Sequence, residues 1–169
     1  MHSIAEDCHC LIKHKLYSMS HLDNLSSEEF AKYDDEMQRI LKDFYSTLFN
    51  MINMAEQIDP KNYYILWLKQ QIDMVRRIDN EFVIKRMKDK LWAYRKEIKE
   101  RDVNFFKNNQ FSKFVKNDDN RSFMYSFINM VKKKLDYLQP EELNAVWDNT
   151  TKMLLCCIEY KRLTNDYEE

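Results

Sequence analysis

Large apolar residues return every three or four positions along most of this chain. From Phe30 the series runs through Tyr33, Met37, Ile40, Leu41, Phe44, Leu48, Met51, Ile52, Ala55 and Ile58, and that spacing over roughly eight turns predicts one long helix. Its start is well marked. Ser26 is placed to cap, Glu29 lies three residues on for a capping box, and Leu25 can staple to Phe30. An earlier stripe of Ile4, Cys8, Leu11, Ile12, Leu16 and Met19 predicts a helix over 2–22, ended by Asp23 and Asn24. After Asp59-Pro60, read as a cap followed by proline at the first helical position, Tyr64, Ile65, Trp67, Leu68, Ile72, Val75 and Ile78 predict a third helix that breaks at Asp79-Asn80.

Phe82 to Phe106 carries the cleanest pattern. Ile84, Met87, Leu91, Tyr94, Ile98 and Phe105 share one stripe, with Arg101 its single polar intrusion. The stretch reads as one continuous helix closing at Lys107-Asn108-Asn109, and as the central packing helix of the fold. Phe111 to Val115 reads as one turn and 116–120 as a loop. A fifth long helix is expected over 121–138, with Phe123, Phe127, Ile128, Val131 and Leu135 inward. Gln139-Pro140-Glu141-Glu142 opens the last helix, which carries Leu143, Val146, Trp147, Thr150, Met153, Leu154, Cys157 and Ile158 and frays into a polar tail at 165–169. No internal repeat or interdomain linker interrupts the pattern, so residues 1–169 read as one helical domain.

Composition sharpens the fold class. The chain has no glycine and only two prolines, Pro60 and Pro140. Hairpins and tight turns lean on glycine, whereas a helix can end on asparagine, and Asn24, Asn80, Asn108, Asn109, Asn117 and Asn120 stand where helices should stop. The expectation is an all-α fold, a single bundle of five to six mostly antiparallel helices. At 169 residues and 44% hydrophobic composition, such a domain can bury roughly two-thirds of its unfolded surface without disulfides or metals as staples.

The same absence of glycine removes the phosphate loop, the dinucleotide fingerprint and the usual nucleophile elbow. No Glu-x-x-His occurs for a di-iron bundle. Cys8, Cys10, Cys156 and Cys157 do not form a secreted disulfide framework, and no leader or apolar run of spanning length is seen. The chain is therefore expected to be neither secreted nor transmembrane, with free thiols in a reducing compartment. Cys156-Cys157 sits in an apolar run and reads as core packing.

Two segments remain as chemical candidates. All four histidines fall in the first 21 residues, beside Cys8 and Cys10. In a helix Cys10, His14 and His21 share a face, and Cys10 with His14 is a usable pair for zinc, although Cys8 would point inward and the spacing matches no standard finger. A zinc-binding module at 8–21, through Cys8, Cys10, His14 and His21, is the one cofactor candidate. The second segment is basic. Eight Lys or Arg lie from Lys85 to Arg101, with Trp92 and Tyr94 between them, on a chain of net charge −1. Lys85, Arg86, Lys88, Arg95, Lys96 and Lys99 could meet nucleic-acid phosphates through salt-dependent contacts. The competing reading is a solvated face laced by Lys96–Glu100 and Glu97–Arg101 pairs and complemented by the acidic start of the long helix at Glu28, Glu29, Asp34, Asp35 and Glu36.

FVIKRMKDKLWAYRKEIKERDVNFFKNN and EELNAVWDNTTKMLLCCIEYKRL, about a third of the chain, resemble small all-helical proteins of nucleocytoplasmic large DNA viruses. The shared pattern is a helix ending in Arg101-Asp102 and Phe105-Phe106, then an acid-led helix with Trp147. The resemblance implies a protein of a large DNA virus; with a well-patterned core, no catalytic constellation and no cofactor loop, the expectation is a non-enzymatic structural or protein-interaction protein, a virion component or host-interaction factor, located in the host cytoplasm or virion. It implies no catalytic residue and fixes no subunit number. A protein partner is expected. Nucleic acid is the alternative partner, and no membrane partner is expected. A variant role gripping a host helix, as viral apoptosis inhibitors do, lacks its Asn-Trp-Gly-Arg motif here.

Overall fold

The computed structural model describes residues 26–109, 129 and 131–164, and among these the ordered backbone is all helical, with no strand. The expected helix over 2–22, the turn at 111–115, the loop at 116–120, most of 121–130 and the tail at 165–169 lie outside the described residues. Six helices have defined ends: α1 Ser27–Ile58, α2 Tyr63–Ile78, α3 Phe82–Ala93, α4 Arg95–Glu100, α5 Val103–Asn108 and α6 Pro140–Leu163. Residues 131–135 are also helical.

α1 begins as its sequence dictates. Glu29 N–H donates to Ser26 Oγ at 3.3 Å and Ser26 N–H donates to the Glu29 carboxylate at 2.9 Å, so two otherwise orphaned donors are satisfied. Its 32 residues span roughly 48 Å. One stripe, Met37, Ile40, Leu41, Phe44, Tyr45, Leu48 and Ile52, is buried along its length. Thr47 is buried too, and its hydroxyl donates to Asp43 O at 2.8 Å, so the polar group is not stranded.

The entry to α2 differs from the expectation. Pro60 is not the first helical residue. Asp59 closes α1, its N–H donating to Ala55 O at 3.0 Å, and Asn62 caps α2 by accepting the Tyr64 N–H at 3.0 Å. Proline disfavours helical geometry in the residue before it, so Asp59 leaves the helical region and Pro60 takes the turn. At Pro140 the expectation holds: proline is in the first turn of α6, and Gln139 N–H donates to Glu142 at 2.7 Å.

α6, not Phe82–Phe106, is the hub. It packs most extensively on α1, then on α3, and also on α4. α1 and α6 run antiparallel: Glu36 meets Arg162 at 3.3 Å, Arg39 meets Glu159 at 3.0 Å, and Met54 lies by Asn149. Between them Ile40, Phe44, Met153 and Cys157 form the centre of the main core, with Ile65, Ile72 and Ile84 contributed by α2 and α3.

The stretch from Phe82 is broken twice rather than continuous. At Tyr94 the helix tightens, with Tyr94 N–H donating to Leu91 O at 3.1 Å, and helical bonding resumes when Ile98 N–H reaches Tyr94 O at 2.9 Å. At Arg101 it ends. Arg101 takes the left-handed conformation, φ 52°, the one positive φ among the described residues. Asp102 N–H then reaches back to Glu97 O at 3.0 Å, the wide bond of a Schellman ending. Asp102 also caps α5 by accepting the Phe105 N–H at 2.9 Å. The double break folds Phe105 and Phe106 back toward Tyr94, at 5.8 and 6.2 Å between ring centres, and sets Phe106 5.4 Å from Trp147 of α6. This aromatic cluster, with buried Ile98, is a second core apart from the first.

Arg101 earns its position through its side chain. Its guanidinium donates to Asn144 Oδ1 at 3.2 Å and to Asp148 Oδ1 at 2.5 Å, clamping the end of α4 to α6. The expected Glu97–Arg101 pair is replaced by this longer reach. A left-handed non-glycine residue costs about 1–2 kcal/mol, while an exposed ion pair returns about 0.2–1 kcal/mol. Arg101→Ala is therefore expected to lower stability by about 1 kcal/mol, since the clamp goes and the strain stays. Arg101→Gly, which relieves the strain, should lie close to wild type. Urea midpoints of the two variants check this, and equal midpoints would remove backbone strain from the account.

Candidate functional site

α2 has two apolar faces. Helical geometry places Ile65 and Ile72 on one side and Tyr63, Leu66, Gln70, Met74 and Ile78 within a broad arc opposite. The inner pair is buried in the main core. On the outer arc Tyr63 is 72% exposed, Leu66 47%, Met74 37% and Ile78 48%. A helix that is apolar all round belongs between two layers, and the described residues supply only one. The cue lies in Tyr63-Tyr64-Ile65-Leu66-Trp67-Leu68, six successive large apolar residues that must wrap more than one face. The pattern that predicts this helix counts Tyr64, Ile65, Trp67, Leu68, Ile72, Val75 and Ile78 and passes over Tyr63, Leu66 and Met74. Beside this face Arg77 and Arg76 share the single Asp73 carboxylate, at 2.7 and 3.3 Å.

A polar layer lies where α3 crosses α6. Tyr160 OH donates to Glu81 Oε2 at 2.7 Å, and Lys85 approaches the same carboxylate at 3.3 Å. Burial, with the Glu81 charge next to it, pushes the Tyr160 hydroxyl far above the ordinary phenol range. Burial first, then the same charge, raises Tyr33. Asp89 joins Lys88 at 3.0 Å and Lys161 at 2.9 Å, and both lysine side chains are almost enclosed, 11% and 10% exposed. Partial desolvation opposes ionisation of Asp89, but the Lys161 and Lys88 hydrogen bonds outweigh it and hold the carboxyl below its usual value. Near-buried charges of this kind must be paired to be tolerated. The layer fixes α3 on α6. It holds no nucleophile with a base and an orienting group, the geometry covalent catalysis needs.

The six basic candidates are not brought together. Lys85 is drawn to Glu81 and Lys88 to Asp89, both in the layer against α6. Arg86 lies on the other side of α3, its guanidinium 4.7 Å over the Phe82 ring. Arg95 sits 4.4 Å over Trp92 and donates to Trp92 O at 2.9 Å. Arg86, Arg95, Lys96 and Lys99 are exposed. Of the acidic start of α1, Glu36 is taken by Arg162 of α6.

Cys8, Cys10, His14 and His21 lie outside the described residues. Among the described residues no group of three or more His, Cys, Asp or Glu is arranged to hold a metal. Cys156 and Cys157 are buried, free thiols, as their apolar setting predicts. Burial, with neighbouring charge, raises Cys156 to about 11 and Cys157 to about 12. Neither is a ready thiolate, the reactive form of cysteine. A shallow groove of about 390 Å³ follows the α1–α6 seam past Arg39, Asp43, Lys152 and Glu159. Its mixed charges already pair in part, Arg39 with Glu159 and Asp43.

Among the described residues no helix is long and apolar enough to cross a membrane. Comparison with protein-family models, curated proteins and solved structures finds no match to this chain.

Proposed function

We propose that this chain is a non-enzymatic protein-interaction protein, built on a scaffold of five to six mostly antiparallel helices, whose contact surface is the outward face of α2. The observation that carries the reading is the second apolar face of that helix, with Tyr63, Leu66, Met74 and Ile78 turned to solvent opposite a face already buried in the core. Aligned exposed apolar groups of this kind mark contact sites on soluble domains. The polar layer at Glu81, Tyr160, Asp89 and Lys161 supports the non-enzymatic part, since its groups are consumed in joining helices. The resemblance of the 82–109 and 141–163 stretches to proteins of large DNA viruses supports a role in a virion or the host cytoplasm.

A second reading is nucleic-acid binding by Arg86, Arg95, Lys96 and Lys99. It is favoured by their exposure beside a partly exposed Trp92, an aromatic surface a base could stack on. One experiment separates the two. The tagged full chain is recovered from expressing cells as wild type, as Leu66→Glu with Met74→Glu, and as Lys96→Glu with Lys99→Glu, each with and without nuclease. Loss of a defined protein partner in the α2 variant alone, insensitive to nuclease, is the expected result. A partner set unchanged in that variant overturns the first reading. Nuclease-sensitive recovery lost only in the lysine variant would put the second in its place.

A further inference from the structure

We draw no further inference here: the strongest candidate, the outward apolar face of α2 at Tyr63, Leu66, Met74 and Ile78, carries none beyond the contact role already proposed for it, because nothing in the structure shows what covers it.

Discussion

Phe44→Ala is expected to cost about 3–5 kcal/mol of stability, out of the roughly 5–15 kcal/mol that a domain possesses. Phe44 has no exposed surface. It lies midway along α1, edge-on to Tyr45 at 5.5 Å between ring centres, in the core that α1 forms with α6. Removing the ring forfeits its transfer free energy and leaves a void that two long, ion-paired helices cannot easily close. The melting temperature should drop by roughly 10 °C or more. Leu155→Ala provides the contrast. Leu155 is on α6 beside the same seam but 53% exposed, so its loss should stay within about 0.5 kcal/mol. Urea unfolding followed by circular dichroism measures both. A Phe44→Ala cost no greater than that of Leu155→Ala would contradict the placement of the core.

The second large effect is a loss of stability in alkali. Burial raises Cys156 to about 11, Cys157 to about 12 and Tyr45 to about 12, and lifts Tyr160 further, from ordinary values of 9.0 for the thiols and 10.0 for the phenols. In each case the folded chain holds its proton more tightly than the unfolded chain does. Between the unfolded and folded values the native state binds more protons, so stability falls as pH rises. The contribution is complete below about pH 9 and is progressively lost toward pH 11–12, each group adding a slope of up to about 1.4 kcal/mol per pH unit. The urea midpoint should thus be level from pH 7 to 8.5 as far as these groups decide it, then fall steeply above pH 9. Replacing both cysteines with alanine should delay the onset toward the tyrosine range. A midpoint that stays flat to pH 11 would mean that these side chains are far less enclosed than α1 and α6 place them.

The all-α class was legible because missing glycine and regular apolar spacing are properties of the whole chain. The ends of α1 and the start of α6 were legible because their signals are local: Ser26 with Glu29, and Pro140 with its acids. Phe82–Phe106 was misread because its stripe continues unbroken through both interruptions, so periodicity alone cannot see them. The second had a visible cue in Asp102, a good cap three residues before Phe105, but the first at Tyr94 has no such mark. What accompanies it is tertiary: Tyr94 packs on Phe105 and Phe106, and Phe106 on Trp147. The surroundings of the basic residues were hidden for a related reason. Charge is a property of composition, but whether Lys88 meets solvent or Asp89 depends on where α6 lies. The outward face of α2 was hidden by its richness: with apolar residues all round, pattern shows that a helix is covered but not by what.

The separation of the two cores has a consequence for how the molecule breathes. Ile98, Trp147 and the rings around them are not part of the cluster that unites α1, α2, α3 and α6, and their tie to α6 is completed by the exposed Arg101–Asp148 bond. Opening α4 and α5 would release that cluster with the Arg101–Asp148 and Lys107–Asp136 pairs while the α1–α6 core stays closed, so it should cost only a fraction of global unfolding. Backbone amides from 95 to 108 should exchange with solvent through this partial opening, while those around Phe44 and Met153 wait for the whole domain to unfold. The protein then has two stability levels along one chain, and the weaker coincides with the Arg101-Asp102 to Phe105-Phe106 pattern that stands out most in the sequence.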